Sequence, residues 1–393
     1  MIYEFSINKT KYFFDGTSLE LYKDYLPEKE KGSIPLFTCT PNILGTALIL
    51  VSELCNGRCQ YCYQREQKTY FQSSIMDKKS AEQIIHFLTT NYSEINTVSF
   101  FGGEPLLNYK IMQFIVENLQ KQMSVKNYEI TTNAILIDER MIQFFIRYNF
   151  KVIISIDGPP QIHNDLRIGC PHNKVIEVIQ KLKNSPIKDR IVLNCTYTKY
   201  HTENISYNEL LKYFENIGMR YSISEVFTNK KSFNLVGKKI TEQEKISQIY
   251  ENLCNFPLNE SSNEYVTPVI TALVEKIGNP FFCAGLGNNS QILFDSKGKQ
   301  YPCISLLYKY GANDNRINVY NEKKNKFCSK CWAKWLCTDC IAPYVKREKN
   351  PPYIQDNCPR KELYAYSLKQ LIFYYHNDIE KFKKIITNFY RYK

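Results

Sequence analysis

An apolar run leads into three closely spaced cysteines in Ala47-Leu-Ile-Leu-Val51-Ser-Glu-Leu-Cys55-Asn-Gly-Arg-Cys59-Gln-Tyr-Cys62. The run predicts a strand buried on both faces, because consecutive aliphatic residues suit a parallel sheet that is covered on each side. The cysteines follow with C-x3-C-x2-C spacing. Iron–sulfur clusters normally take four cysteine thiolates. Three thiolates would leave one iron without a protein ligand, and we expect the chemistry to occur there.

The chain around this stretch alternates between short apolar runs and helical periods. The predicted strands are 46–53, 97–101, 129–132, 152–156, 191–197 and 221–226, and the predicted helices between them are 77–90, 109–122, 139–148, 174–183 and 206–217. This alternation indicates βαβ units and a parallel sheet. We therefore predict an α/β fold, a partial (β/α)6 barrel open on one side, with a small cysteine-rich, cluster-binding C-terminal domain.

Composition narrows the class of protein. With 393 residues, 44% of them hydrophobic and 23% charged, the chain has the composition of a globular protein. The N-terminus carries Glu4 and lacks the apolar core of a signal peptide, and no run reaches the ~18 apolar residues of a membrane span. We expect a cytoplasmic protein without a membrane partner. Fourteen cysteines in a reducing compartment then indicate metal binding or catalysis.

The net charge of +12 is compatible with an anionic partner. Basic and aromatic residues are spread along the chain and form no single tract, which makes nucleic acid an unlikely partner.

Glycine and polar residues follow the predicted strands. Gly102-Gly103-Glu104-Pro105 comes after the second strand, Asn133 after the third, and Ser155-Ile-Asp157-Gly158 at the end of the fourth. Each stretch alone is typical of a turn or a strand end. Because the carboxyl ends of parallel strands share one edge of a sheet, we expect these residues to lie beside the cysteines.

Together these motifs resemble the radical S-adenosylmethionine (SAM) superfamily over residues 46–226. The resemblance implies that Cys55, Cys59 and Cys62 hold a [4Fe–4S] cluster whose open iron is chelated by SAM. It also implies that reductive cleavage of SAM yields a 5′-deoxyadenosyl radical that abstracts hydrogen from a substrate. The implied SAM contacts are Tyr61 near the adenine, Gly102, Gly103 and Glu104 at the amino group, Asn133 and Ser155 at the carboxylate or ribose, Arg167 at the carboxylate and Glu225 at the ribose.

Other interpretations of these residues stay open. A zinc site takes four ligands in a tetrahedral array, and the three cysteines have no fourth nearby in sequence. Arg167 is as well explained by a surface ion pair as by a SAM contact. Four scattered cysteines are interpreted as buried or incidental thiols; they are Cys39, Cys170, Cys195 and Cys254.

Seven further cysteines lie between residues 283 and 358. This block resembles the SPASM extension of radical SAM enzymes, which binds two auxiliary [4Fe–4S] clusters. The implied ligands are Cys283, Cys303 and Cys340 for the nearer cluster, and Cys328, Cys331, Cys337 and Cys358 for the outer one. A pair of zinc-ribbon-like sites is the alternative.

The block departs from the family pattern at two places. Two residues separate Cys337 from Cys340, where the family has three, and no cysteine precedes Cys283 where the fully ligated form has one. We therefore predict an open iron on the nearer cluster. A substrate thiolate would fill that position, or else a water molecule or a side chain that is distant in sequence.

The remaining segments flank these two cysteine-bearing parts. Residues 1–45 predict an accessory segment that begins with a β-hairpin and is a possible peptide contact, and 227–280 a bridging helical region. The SPASM-like domain is assigned to 281–360, with a hairpin over 294–301, and a C-terminal helix to 361–393.

The resemblance implies a reaction on a peptide. Enzymes with this extension commonly install crosslinks in ribosomally made peptides or oxidise a sulfatase residue to formylglycine. Sulfatase maturases carry an aspartate base after the cysteine of the Gly-x4-Cys unit, where this chain has Ile304. We therefore favour a peptide maturase that forms a thioether or another crosslink, with a peptide or protein substrate and an electron donor such as flavodoxin or ferredoxin. The alternatives are a sulfatase-maturase-like enzyme and a non-catalytic iron–sulfur electron-transfer protein.

Overall fold

The computed structural model describes residues 1–25, 42–66, 74–228, 230–235, 241–278, 290–307, 328–337 and 358–391. The strands are β1 (Ile2–Ile7), β2 (Thr10–Asp15), β3 (Glu20–Lys23), β4 (Ile43–Ser52), β5 (Arg58–Cys59), β6 (Glu94–Gly102), β7 (Ser124–Thr132), β8 (Lys151–Ser155), β9 (Arg167–Ile168), β10 (Ile191–Tyr197), β11 (Arg220–Glu225), β12 (Gln291–Phe294) and β13 (Gln300–Tyr301).

The helices alternate with these strands through the middle of the chain. They are α1 (Tyr63–Glu66), α2 (Lys78–Asn91), α3 (Tyr109–Gln122), α4 (Glu139–Arg147), α5 (Pro160–Leu166), α6 (His172–Lys183), α7 (Lys199–Asn204), α8 (Tyr207–Ile217), α9 (Glu242–Asn255), α10 (Val266–Glu275), α11 (Pro359–Asn377) and α12 (Ile379–Tyr390). No helix in the described residues is long and apolar enough to cross a membrane.

The central sheet confirms the predicted α/β fold. Its strand order is β11-β10-β8-β7-β6-β4-β12-β13, and every neighbouring pair is parallel except the last. All six predicted strands are present, and the linear order leaves the sheet open. The predicted hairpin over 294–301 forms as β12 and β13, but the sequence did not indicate that its first strand also pairs with β4.

Burial explains why β4 lies inside the sheet. The side chains of Ala47, Ile49 and Val51 are fully buried on one face of the strand, and that of Leu50 is fully buried on the other face. Several of the helices that cover the sheet begin at a residue whose side chain accepts from their free N–H groups. Asp77 accepts from the Ser80 amide (2.7 Å) at the start of α2.

The N-terminal residues form an antiparallel sheet, β1-β2-β3, as the predicted hairpin requires. This sheet packs against the second cysteine block. The rings of Tyr3 and Trp332 stack with their centroids 4.4 Å apart, and Phe14 meets Trp332 edge-on. The N-terminal sheet and the block therefore share one apolar core, to which α9, α10 and α11 also contribute.

The prediction of one C-terminal helix is wrong. α11 ends at Asn377 and α12 begins at Ile379, with Asp378 between them. Asp378 has an extended φ of −151°, and its carboxylate accepts from the Lys381 amide (3.0 Å) as an N-cap. Aspartate competes for backbone donors in this way, so it favours a new helix start over a helix interior.

Candidate active site

A cavity of about 640 Å³ opens at the carboxyl ends of the central strands. The structure brings together around it every residue that the first set of motifs predicts. These are Cys55, Cys59, Cys62, Tyr61, Gly102, Gly103, Glu104, Asn133, Ser155, Arg167 and Glu225. The topology produces this convergence, since loops that follow parallel strands meet at one edge.

The cysteine loop presents three thiols to this cavity. The Gly57 amide donates to the Cys55 sulfur (3.3 Å). Desolvation of the sulfur raises the pKa of Cys55 to about 11, although the residue as a whole is exposed, and burial raises the pKa of Cys59. Both thiols are protonated at neutral pH before a metal binds, so loading releases protons. Three soft thiols on one cavity fit the donor set of an iron–sulfur cluster. Within the described ranges, no three histidine, cysteine or carboxylate side chains converge on a position for a single ion.

A second segment, residues 165–170, packs against the cysteine loop and is hydrogen-bonded to it. Cys59 of β5 pairs with Arg167 of β9, and the Gln60 amide donates to the Leu166 carbonyl (2.9 Å). Cys170, which the sequence analysis interprets as a buried or incidental thiol, is buried and lies against Gly57. The site therefore has a fourth thiol close to the loop, which linear spacing does not show.

Arg167 and Asp157 form a buried ion pair beside the loop. Nε and Nη2 of Arg167 donate to the Asp157 carboxylate at 2.8 and 3.0 Å, and Nη1 donates to the Cys59 sulfur at 3.8 Å. Arg167 is 7% exposed, so the predicted surface ion pair is wrong. Burial would raise the pKa of Asp157, but the Arg167 charge and its hydrogen bonds hold that pKa below its usual value.

Tyr61 belongs to the same network. Its hydroxyl donates to Asp157 (2.5 Å), and the Arg167 guanidinium lies 5.6 Å from the centre of its ring. The polar end of Tyr61 is thereby fixed within the protein, while the residue still lines the cavity.

Glycine is required where the second loop crosses the cysteine loop. A Cβ at Gly103 would lie 2.1 Å from the Leu54 carbonyl oxygen, and one at Gly102 would lie 2.5 Å from that of Ser52. Gly102 also has a φ of +138°, which side chains rarely adopt. The close backbone approach that the sequence analysis expects towards SAM is thus also used to pack this loop on the end of β4.

The Glu104 carboxylate is occupied by protein donors. It accepts from the Leu106 amide (3.1 Å), the Thr132 hydroxyl (2.8 Å) and the Asn133 amide (2.8 Å). Burial outweighs these bonds and raises the pKa of Glu104 to about 7. In the structure this side chain ties the ends of β6 and β7 together; a contact with the SAM amino group stays a prediction.

Three further predicted residues differ in how they are held. The Asn133 side chain donates to Asn56 (2.8 Å) and so grips the cysteine loop, whereas the exposed Glu225 pairs with Lys245 (3.0 Å). Ser155 lies at the end of β8 and lines the cavity. Their contacts with SAM remain predictions.

Glu53 is a cavity residue that the sequence analysis missed. It is buried, follows β4 directly, and accepts from the Ser296 hydroxyl (2.6 Å) just after β12. Its position at the end of the predicted strand 46–53 was a usable signal, because Cys55 follows the same strand end.

The second cysteine block is described in part. Burial raises the pKa of Cys331, and the thiols of Cys337 and Cys358 are close enough to raise it further. Three of the four predicted outer-cluster ligands therefore lie near one another. Cys283 and Cys340 lie outside the described residues, and Cys303 stands directly before the 3-10 turn Ile304–Leu306.

Sequence comparisons find a family model and several proteins that match this chain. The model of the radical SAM superfamily matches residues 49–213. A cysteine-type anaerobic sulfatase-maturating enzyme of Clostridium perfringens is 23% identical over 361 residues, which cover 81% of this chain and 94% of that enzyme. The radical SAM cyclopropyl synthase TigE of Paramaledivibacter caminithermalis is 26% identical over 193 residues, which are 45% of this chain but only 39% of that protein.

Solved structures share the fold. The structure of anSMEcpe with bound AdoMet superimposes with a TM-score of 0.62 at 20% identity, covering 89% of this chain and 99% of that chain. Streptococcus suis SuiB bound to its precursor peptide SuiA gives a TM-score of 0.57 at 17% identity, covering 81% of this chain and 76% of that chain.

Proposed function

We propose, from the premise that residues 49–213 are a radical SAM domain, that the protein installs a thioether or another crosslink in a ribosomally made peptide. The observation that carries the proposal is the cavity lined by three cysteines and by the glycine and polar strand ends. A [4Fe–4S] cluster and SAM, when bound, supply a radical that abstracts hydrogen from carbon.

The residues of the chain have separate tasks in this proposal. Cys55, Cys59 and Cys62, which line the cavity, would hold the cluster. Backbone carbonyls around Gly102 and Gly103 would accept hydrogen bonds from the N–H groups of the SAM amino group. Further SAM contacts are made by Tyr61, Glu104, Asn133, Ser155, Arg167 and Glu225.

A peptide substrate is supported by the solved relatives. Structures of anSMEcpe hold AdoMet together with a Cp18Cys peptide, and SuiB holds its precursor peptide. Ile304 supports a crosslink over formylglycine, because it places no carboxylate after Cys303 to accept a proton.

Crosslinking also explains a second set of cysteines. To join carbon to sulfur, one hydrogen atom is first removed from the carbon. When the C–S bond then forms, the thiol loses its proton and the substrate loses one electron. An electron acceptor must therefore lie near the substrate, and two auxiliary [4Fe–4S] clusters would supply it. The nearer is assigned to Cys283, Cys303 and Cys340, and the outer to Cys328, Cys331, Cys337 and Cys358. A flavodoxin or ferredoxin would deliver the electron that starts the reaction.

Sulfatase maturation is the second candidate. The observation that favours it is the extent of the match with the C. perfringens enzyme, which covers 94% of that enzyme. The two candidates differ in the product: a crosslinked peptide loses two hydrogens and its free thiol but keeps its sulfur, whereas formylglycine made from cysteine has lost the sulfur.

The first prediction tests the enzyme class. We expect anaerobically reconstituted protein with SAM and dithionite to release 5′-deoxyadenosine, and Cys59→Ala to reduce this release to background because the cluster loses a ligand. Adding a short cysteine-containing peptide encoded beside the gene should give a product lighter by two hydrogens. If the wild-type protein releases no more 5′-deoxyadenosine than Cys59→Ala does, the prediction of a radical SAM enzyme is contradicted. A peptide product that has lost its cysteine sulfur would favour sulfatase maturation.

A further inference from the structure

We propose that Arg167 is a positioning residue that donates a hydrogen bond to the Cys59 sulfur and raises the reduction potential of the cluster that Cys59 holds. The inference goes beyond peptide modification. It rests on one part of the proposed function, namely cluster binding by Cys55, Cys59 and Cys62.

The ion pair is oriented with its positive end towards the sulfur. Nη1 of Arg167 lies 3.8 Å from the Cys59 sulfur, while Nε and Nη2 hold the Asp157 carboxylate at 2.8 and 3.0 Å. The two side chains are 7% and 0% exposed. Water therefore screens the guanidinium charge weakly at the sulfur.

Hydrogen-bonded neighbours hold both members of the ion pair in place. Arg167 and Cys59 are register partners of the short β5–β9 ladder, so their main chains cannot separate without breaking it. Asp157 is held in turn by the Tyr61 hydroxyl (2.5 Å) and by the Thr196 amide (3.0 Å). The guanidinium has one carboxylate partner and one sulfur partner, and neither is free to turn away.

Hydrogen bonds to the sulfurs and the local net charge are the main protein controls on cluster potentials. Reduction adds one negative charge to the cluster. A buried cation that points at a ligand sulfur stabilises this reduced form and makes the potential less negative. Arg167 thus acts through Cys59, and it need not touch substrate.

The variants have to avoid a buried unpaired charge. Replacing Arg167 alone with a neutral residue would leave the Asp157 carboxylate buried without a cation. A buried unpaired charge strongly destabilises a protein. The double variant Asp157→Asn/Arg167→Met removes both charges and the guanidinium N–H at the sulfur. Arg167→Lys keeps the cation for Asp157 but loses the planar fork that reaches Cys59. Arg190→Gln is the matched control, because Arg190 immediately precedes β10, at the end of that strand remote from Thr196.

The measurement uses the full-length protein. The midpoint potential of the cluster held by Cys55, Cys59 and Cys62 is determined in an anaerobic redox titration followed by EPR. That cluster is recognised by the change of its signal when SAM is added. We expect a more negative potential in the double variant, a smaller shift in the same direction in Arg167→Lys, and no shift in Arg190→Gln, with iron content unchanged.

The outcomes separate the two levels of inference. A wild-type protein with no SAM-responsive signal contradicts the proposed function. With that signal present, a wild-type potential in the double variant, or in Arg167→Lys if the double variant does not fold, overturns the role of Arg167. Weaker SAM binding at an unchanged potential also overturns it and leaves Arg167 with its SAM contact alone.

Discussion

Gly57 lies between thiols that are far apart in sequence. A Cβ at this position would lie 2.7 Å from the Cys170 sulfur and 3.7 Å from the Cys55 sulfur. Its φ is outside the left-handed region, so the backbone itself would accept alanine. The requirement for glycine in the cysteine loop therefore comes from one contact with a buried thiol.

We predict that Gly57→Ala displaces the cysteine loop and costs the protein about four irons per chain, the content of one [4Fe–4S] cluster. Adding Cys170→Ala should restore the iron, because it removes the atom that the new methyl group would meet. Iron analysis after anaerobic reconstitution checks both variants. The control is Cys170→Ala alone, which should bind iron as the wild type does; a double variant that stays depleted would refute the steric explanation.

The break between α11 and α12 is set by one side chain. The Asp378 carboxylate caps α12, while its amide closes α11 on the Tyr374 carbonyl (2.8 Å). The second helix returns along α9, where Lys381 bonds Glu251 (2.6 Å). A continuous helix would carry these residues away from that partner.

Loss of the cap should weaken the C-terminal pair of helices. Asp378→Ala is expected to lower the free energy of unfolding by about 1 kcal/mol, because an amide at the start of α12 loses its acceptor. Asp378→Asn should stay near the wild-type value, since asparagine caps helices as well as aspartate does. Urea unfolding followed by circular dichroism distinguishes the two, and an equal loss in both variants would assign the effect to charge instead of capping.

Two parts of the molecule that are remote in sequence meet at Trp332. The indole is 8% exposed and contacts the N-terminal sheet through Tyr3 and Phe14. Gly16 approaches the same residue so closely that a Cβ there would lie 1.9 Å from the Trp332 carbonyl oxygen. The described residues 328–337 of the second cysteine block thereby pack on residues 1–25.

Truncation of this contact should loosen both parts. Trp332→Ala is expected to destabilise the protein by about 3–5 kcal/mol, the range for a buried large side chain, since it leaves a cavity between the sheet and the block. The matched variant is Trp335→Ala, which removes a half-buried indole from the same turn and should cost less. Denaturant unfolding measures the difference; equal losses would show that Trp332 does not join the two parts.

The sequence by itself determined the strand-and-helix alternation, the six central strands and the convergence of the predicted site residues on one cavity, but it did not include Glu53 among them. These follow from local rules: aliphatic runs make buried strands, and residues after parallel strands share an edge. Tertiary structure alone decided that β12 joins β4, that Cys170 lies against Gly57, and that Arg167 is buried against Asp157 and Cys59. Such contacts depend on where distant segments cross in space, and residue spacing along the chain carries no record of that.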